Sequence, residues 1–156
     1  MARLRDLLKR LLNIEDTPER TALAYSIGVL LGFSPFLGFH TLLGVAIAFL
    51  FRLNRVAVLL GVWSNIPWWM VPYYAAATGL GIWLTGLSID PGAVARVLQI
   101  AKDQGIIGTD FWGHLMPHGG LLLSFMIGSS ILAAVLALAA YPFSLRWIRS
   151  YRAHKK

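Results

Sequence analysis

The chain has no cysteine and few acidic residues: among its 156 residues, 7 are Asp or Glu and 14 are Lys or Arg. The lack of cysteine excludes disulfides, thiolate metal ligands and cysteine nucleophiles. No carboxylate lies within its long apolar stretches, and neither a Ser-His-Asp arrangement nor a phosphate-binding glycine loop is visible. We therefore expect no catalytic residues, no cofactor, no bound metal and no enzymatic activity.

Formal charge is absent from three long stretches, residues 21–51, 56–89 and 119–145. They contain 31, 34 and 27 residues. About 20 apolar residues are enough to cross the hydrocarbon core of a bilayer. With 57% hydrophobic and 13% charged residues, the chain is too apolar for a soluble domain of this size. The composition predicts an integral membrane protein with one membrane domain, residues 1–156, whose surroundings are the lipid bilayer.

Proline and small polar residues interrupt the first two stretches near their middles. Residues 34–38 read Ser-Pro-Phe-Leu-Gly, residues 64–67 read Ser-Asn-Ile-Pro, and Pro72 follows. Because proline ends or kinks a helix, each stretch is expected to form two short helices. Lipid cannot satisfy a broken backbone, so the breaks must be buried in protein or line a wet cavity, and transporters often bind substrates at such places.

Basic residues flank the apolar stretches and predict the topology. They precede the first stretch, occupy a turn at Arg52 and Arg55, and follow the last stretch, whereas the connector at residues 90–118 is nearly neutral. The positive-inside rule places both termini and the turn in the cytoplasm and the connector outside. Because the basic groups border apolar spans, membrane topology explains them better than nucleic-acid binding does, and no nucleic-acid partner is expected.

Residues 3–13 have leucines on one helical face and charged residues on the other. This pattern predicts an amphipathic helix lying in the membrane surface. Its cations would lie near anionic headgroups; they are Arg3, Arg5, Lys9 and Arg10. The alternative is a helix packed on the protein's own cytoplasmic face or on a partner subunit.

Together these patterns predict an all-α polytopic membrane protein. Asp16 or Thr17 caps the first helix, which begins at Pro18. After the amphipathic helix, we expect two broken, hairpin-like elements, an external connector, a transmembrane helix and a basic cytoplasmic tail, at residues 18–52, 55–88, 90–118, 119–145 and 146–156. The first broken element is either re-entrant or a pair of short spans.

A single chain with so few membrane crossings cannot easily surround a polar, water-filled site by itself. We therefore expect a homo-oligomer. Small residues that allow close helix contact are Gly28, Gly32, Gly44 and Gly61. Residues 29–32 and 58–61 both read Val-Leu-Leu-Gly, which is either an internal repeat or a coincidence in an apolar sequence.

The two breaks supply the candidate substrate-binding residues, which are Ser34, His40, Thr41, Ser64 and Asn65. Ser34 and Asn65 are placed to cap the half-helices that follow, whose N-termini suit an anion or a phosphate-bearing group. His40 is ionisable within an uncharged stretch, which favours a role in a site. The alternative for each residue is structural, as a helix cap or as a partner for the broken backbone.

Two other groups of side chains are given no role in the site. Aromatic residues of the second element are expected at the membrane interface; they are Trp68, Trp69, Tyr73, Tyr74 and Trp83. His114 and His118 are four residues apart, a spacing that can bind a metal, but Gly113 and Pro117 interrupt that segment.

Several short motifs are spread over residues 15–145: Asp16-Thr17-Pro18, Gly28, Gly32-Phe33-Ser34-Pro35, Gly38-Phe39-His40-Thr41, Asn54 and Asn65. Through them the chain resembles a widespread bacterial family of small integral membrane proteins that carry only a domain-of-unknown-function name. The resemblance implies residence in the bacterial inner (plasma) membrane. Some members are fused to polyprenyl-phosphate glycosyltransferases, which implies envelope or lipid-carrier biology. The family usually has Asn directly before Pro at the second break, whereas here Ile66 intervenes.

We therefore expect an oligomeric inner-membrane transporter or channel for an anionic solute or a phosphate-bearing lipid, with its site at the two breaks. The resemblance makes a polyprenyl-phosphate-type lipid one candidate. The alternative is a non-transporting membrane scaffold or accessory subunit for envelope or lipid-carrier enzymes, which would use the surface helix instead.

Overall fold

A computed structural model describes residues 16–36, 38–106 and 108–154. Within these ranges the chain forms seven helices and no strand, which confirms the predicted all-α fold. The helices are α1 Pro18–Phe33, α2 His40–Leu50, α3 Arg55–Val62, α4 Pro67–Thr85, α5 Pro91–Gln104, α6 Thr109–Leu115 and α7 Gly119–Ala153. The predicted amphipathic helix at 3–13, with Arg3, Arg5, Lys9 and Arg10, lies outside the described residues.

Local sequence determines where α1 and α5 begin. Thr17 Oγ1 accepts a hydrogen bond of 3.3 Å from a backbone N–H three residues later, and Pro18 is the first helical residue. Asp90 caps α5 in the same way, accepting two backbone hydrogen bonds of 3.0 Å, with Pro91 as the first helical residue. In each case a short polar side chain satisfies N–H groups that have no partner within the helix.

The described residues divide into two compact units. The first contains residues 16–32, 39–64 and 134–154. The second contains the described residues of 33–38 and 65–133. The chain passes from one unit to the other at each break and within α7.

In the first unit, α1 and α3 are in backbone contact. A Cβ atom on Gly28 would clash with the carbonyl oxygen of Val58, and one on Gly61 would clash with the backbone of α1. Gly32 is equally close to α3, whereas a Cβ on Gly44 would meet only side chains. The close contact expected of Gly28, Gly32 and Gly61 is therefore made within one chain.

Three charged segments of the sequence meet in the first unit. The Arg20 guanidinium donates to the carbonyl oxygen of Arg52 at 3.0 Å. From the end of α7, Arg149 pairs with Glu19 at 2.7 Å, and Arg152 donates to a carbonyl oxygen just before α1 at 3.0 Å. The start of α1, the turn after α2 and the end of α7 therefore lie together.

In the second unit, α4 packs antiparallel against the first half of α7. Gly81 lies against the carbonyl oxygen of Ser124, and Gly128 lies against that of Ala77, so a side chain at either glycine would clash with backbone. Helices α5 and α6 complete a buried apolar cluster of Met70, Tyr74, Val97, Ala101, Ile106, Phe111, Leu115, Leu121 and Phe125.

Among the described residues, α7 is the one helix that is both long and apolar enough to cross a membrane, by length and composition. It begins at Gly119, where the predicted span begins, and continues through the basic residues after 145 to Ala153. Helix α2 is also apolar but has only 11 residues.

Candidate functional site at the helix breaks

The first break is held in the second unit by a tyrosine of α4. The Tyr74 hydroxyl donates to the main-chain oxygen of Ser34 at 2.8 Å. Both residues are buried, with 3% of Tyr74 and 6% of Ser34 exposed. A buried tyrosine hydroxyl needs a hydrogen-bond partner, and the Ser34 carbonyl, which lies just after the end of α1, needs a donor from outside that helix. The contact satisfies both groups.

The neighbouring Tyr73 satisfies a second carbonyl at the same break. Its hydroxyl lies 3.0 Å from the main-chain oxygen of Phe33 and 3.3 Å from that of Ser129, and one hydroxyl proton is shared between them. The Phe33 and Tyr73 rings pack edge to face, with centroids 4.9 Å apart. The end of α1 is thus joined to both α4 and α7 within the second unit.

Asn65, at the second break, contacts the same tyrosine. Its side chain lies close enough to the Tyr74 hydroxyl to interact with it. The prediction that Asn65 caps α4 is wrong: Ile66 occupies the cap position, and no side-chain hydrogen bond is made there. Because Ile66 separates Asn65 from Pro67, the amide lies one position before the cap, where it is directed to Tyr74 instead.

The prediction that Ser34 caps the next half-helix is also wrong. Helix α2 begins at His40, with Phe39 at the cap position and no side-chain cap hydrogen bond. Ser34 lies five positions before that cap, too far along the chain for its hydroxyl to reach the first turn. The part of Ser34 that joins the cluster is its main-chain oxygen.

The structure therefore brings Ser34 and Asn65 to one residue, Tyr74, in the second unit. The other predicted site residues, His40, Thr41 and Ser64, belong to the first unit. There, the Ser64 hydroxyl is 3.0 Å from that of Tyr25 and donates to a carbonyl oxygen one turn earlier in α3. His40 and Thr41 are partly buried in the first turn of α2.

Tyr73 and Tyr74 are site residues that the sequence pattern does not predict. The expectation that both lie at the membrane interface differs from the structure, in which Tyr74 is buried and Tyr73 is partly buried, each hydrogen-bonded to main-chain oxygens at the first break. Trp68 and Trp83, from the same set, are 89% and 77% exposed. Two adjacent tyrosines deep inside an uncharged stretch, rather than near its ends, were the available signal, because buried hydroxyls need partners.

The cluster contains no formal charge. Its members are the hydroxyls of Tyr73 and Tyr74, the amide of Asn65, and main-chain oxygens of Phe33 and Ser34. Of these groups, the Asn65 amide is the one that can donate a hydrogen bond to a phosphate or carboxylate oxygen, because the tyrosine hydroxyls donate to the main-chain oxygens and those oxygens only accept. The cluster supplies neither a nucleophile with an adjacent base nor a metal ligand set.

His114 and His118 are on the connector side of the second unit. The Nδ1 atom of His114 is 2.9 Å from the carbonyl oxygen of Asp110, one turn earlier. In the part of the chain that the structure describes, no three His, Cys, Asp or Glu side chains are grouped to hold a metal ion.

The motif residues around the first break, Gly32 to Thr41, include two members of this cluster, Phe33 and Ser34. A family model matches the whole chain, residues 1–156. The chain belongs to the family described as uncharacterized protein conserved in bacteria (DUF2062). No curated protein and no solved structure matches it.

Proposed function

We propose that this DUF2062 protein is a polytopic transporter of the bacterial inner membrane, and that it binds an anionic or phosphate-bearing group of its substrate at the two helix breaks. Three features support the proposal: the apolar surface, the arrangement of the charged segments, and the shared contact of both breaks with Tyr74.

The exposed side chains support membrane residence. In the first unit, Leu50, Leu138 and Phe143 are each at least 76% exposed. In the second unit, Trp68 and Trp83 are more than three-quarters exposed. Soluble proteins rarely expose so much large apolar surface, whereas a lipid-facing surface requires it.

The charged contacts of the first unit support the proposed topology. The bond from Arg20 to the Arg52 carbonyl returns the chain after α2 to the start of α1. Helices α1 and α2 have 16 and 11 residues. Their lengths of about 24 Å and 16 Å are both short of the roughly 30 Å hydrocarbon core. A re-entrant hairpin at 18–52, a broken span formed by α3 and α4, and a second span in α7 fit these lengths, with both termini cytoplasmic.

The observation that carries the proposed site is that Tyr74 meets both breaks: its hydroxyl donates to the Ser34 carbonyl oxygen and lies close to the Asn65 side chain. Breaks far apart in the sequence then share one buried polar cluster inside an uncharged part of the chain. Polar groups at membrane depth are costly, and proteins concentrate them where a substrate must be met. Asn65 supplies the amide donor, and Tyr74 holds it in place.

One observation favours the scaffold as a second candidate function. The tyrosine hydroxyls already donate hydrogen bonds to the Phe33 and Ser34 carbonyl oxygens. A cluster that serves only to stabilise two bent helices would belong to a membrane scaffold or accessory subunit. The two functions differ in whether the purified protein alone moves a solute or lipid.

Flux in proteoliposomes tests the choice. The full-length protein is reconstituted with fluorescent phosphatidylglycerol, with a neutral fluorescent diacylglycerol or with trapped inorganic phosphate, and each is compared with protein-free vesicles. A transporter accelerates transfer of a phosphate-bearing probe and leaves the neutral lipid at the protein-free rate. If no probe moves faster than in protein-free vesicles, the scaffold is the better account.

Self-association is part of the proposal, because two crossings and one hairpin leave the breaks little surrounding protein. Native mass spectrometry from mild detergent is expected to show a homo-oligomer. A monodisperse monomer under those conditions would remove this part of the proposal and leave the topology intact.

A further inference from the structure

A cavity of about 100 Å³ lies within the second unit, beside the polar cluster. Helices α4, α5, α6 and the first half of α7 form its walls. Its apolar lining includes Val71, Ile82, Val97, Leu98, Leu115 and Phe125. The Tyr74 ring lines the cavity, while the Tyr74 hydroxyl belongs to the polar cluster at the breaks.

The polar atoms at this wall are already hydrogen-bonded. The Thr78 hydroxyl donates to the Tyr74 carbonyl oxygen at 2.7 Å, one turn earlier in α4. The Tyr74 hydroxyl donates to Ser34. The charged residues of α5, which are Arg96, Lys102 and Asp103, are exposed and do not line the cavity. A ligand in this space would therefore meet hydrocarbon surface, and a polar ligand would lose its hydrogen bonds to water without replacement.

The size of the cavity suits a linear apolar group. An apolar protein cavity of about 150 Å³ is large enough to bind benzene, so the present one holds a short stretch of alkyl chain and is too small for a partner's helix. Gly79, which is exposed, stands at its margin, and a Cβ atom there would meet no atom within 4 Å. Gly79 thus leaves an open mouth on α4.

We propose that this cavity binds a segment of the hydrocarbon chain of a phosphate-bearing lipid whose polar end contacts the cluster at Asn65. The inference rests on the proposed function and narrows it, since a lipid uses both the cluster and the cavity, whereas a small anion uses only the cluster. Tyr74 is common to both parts and sets the distance between them.

Photo-crosslinking tests this inference without relying on transport. The full-length protein is reconstituted into vesicles of phosphatidylethanolamine and phosphatidylglycerol, in which part of the phosphatidylglycerol carries a diazirine within one acyl chain. After illumination, mass spectrometry maps the labelled peptides. Labels are expected on cavity-wall residues of α5 and α6, such as Val97 and Leu115, which are buried in the second unit. Label on Leu138 of α7, which is 76% exposed, serves as the internal standard for bulk lipid contact.

Two glycine variants make the test specific. Gly79→Leu fills the mouth of the cavity and is expected to lower cavity-wall labelling about tenfold relative to Leu138, which corresponds to about 1.4 kcal/mol of lost binding. Gly113→Leu is the matched control, because Gly113 is also exposed with open space around it and does not line the cavity. It is expected to leave the label map unchanged.

Each outcome bears on a different part of the account. No label on the α5 and α6 walls in the wild-type protein, or undiminished label there in Gly79→Leu, overturns the chain site. A third outcome also overturns the chain site: Gly79→Leu dissociates an oligomer while the wall labelling persists. In that case a second copy of the chain, and not a lipid, occupies the mouth of the cavity. If Gly79→Leu does not fold, the wild-type map decides. Wall labelling without lipid flux contradicts the transport function alone, and flux without wall labelling contradicts this inference alone.

Discussion

The Tyr74 hydroxyl and the main-chain oxygen of Ser34 are joined by a buried hydrogen bond of 2.8 Å across 40 positions of the sequence. This contact ties the first break to α4, and the Asn65 side chain, close to the same hydroxyl, brings the second break to this point. If the two breaks act together, they do so through Tyr74.

Removal of the Tyr74 hydroxyl is expected to destabilise the protein. In Tyr74→Phe, the buried Ser34 carbonyl loses the hydrogen bond from Tyr74, which costs about 1–3 kcal/mol and lowers the melting temperature in detergent by several degrees. Tyr151→Phe is the matched control, since Tyr151 lies exposed near the end of α7. Equal melting temperatures for the two variants would show that the Tyr74 bond is not needed to hold the break.

Because the backbones of α1 and α3 are in contact, adding one methyl group at Gly61 is expected to lower the stability of the protein strongly. A Cβ atom in Gly61→Ala would clash with the Tyr25 carbonyl oxygen, and relief of that overlap is expected to cost about 1–3 kcal/mol or more. Gly113→Ala is the control, because its new Cβ meets nothing within 4 Å and its helix gains up to about 1 kcal/mol. Thermal unfolding in one detergent compares the two, and a Gly61→Ala protein as stable as Gly113→Ala would contradict the observed contact.

The pair of Arg149 and Glu19 predicts a change of stability in acid. The Arg149 guanidinium, at 2.7 Å, holds the pKa of Glu19 below its ordinary value of 4.5. A lowered pKa in the folded state means that the stabilisation is complete above pH 4.5 and is lost as the pH falls through the folded pKa. The difference in melting temperature between wild type and Glu19→Gln should therefore be present at pH 7 and disappear in acid.

Two controls define that acid effect. Arg146→Gln removes a neighbouring exposed cation and leaves the pair intact, so its difference from wild type should stay constant with pH. Because both partners of the pair are partly exposed, high salt should weaken the Glu19 effect. A Glu19→Gln difference that grew as the pH fell would contradict the assigned sign.

The topology can be tested with single cysteines, since the natural chain has none. Ser150→Cys and Arg55→Cys lie at exposed positions of the basic segments, and Asp103→Cys lies at an exposed position of the connector. A membrane-impermeant maleimide should label the first two only in inverted inner-membrane vesicles and the third only in intact spheroplasts. Labelling of Ser150→Cys from outside would overturn the placement of the C-terminus.

Local signals in the sequence were enough for the helix starts and the breaks. Thr17 with Pro18 and Asp90 with Pro91 begin helices because a cap and a proline act within one turn. The prolines and small residues near Ser34 and Asn65 likewise end helices, whereas Pro72, also expected to interrupt the second stretch, lies inside α4. These features depend only on neighbouring residues in the sequence and can therefore be predicted without the tertiary structure.

The partners of the breaks could not be predicted in the same way. Tyr74 reaches Ser34 across 40 positions, and nothing in the local pattern distinguishes a buried tyrosine of α4 from one at the membrane interface. The proline at 67 predicts that Asn65 caps α4, yet the intervening Ile66 occupies the cap position. Gly28 and Gly61 show a further limit: their small size signals close contact but does not say whether the contact lies within one chain.

Transfer of fluorescent phosphatidylglycerol by reconstituted Asn65→Ala tests the central claim most directly. With the wild-type protein active, the account predicts that Asn65→Ala inserts normally and loses most of the protein-dependent transfer, whereas Arg96→Ala retains it. Arg96 is a suitable control because it pairs with Asp90 at an exposed position of α5. Wild-type rates in a correctly inserted Asn65→Ala protein would contradict the claim that the breaks form the substrate site.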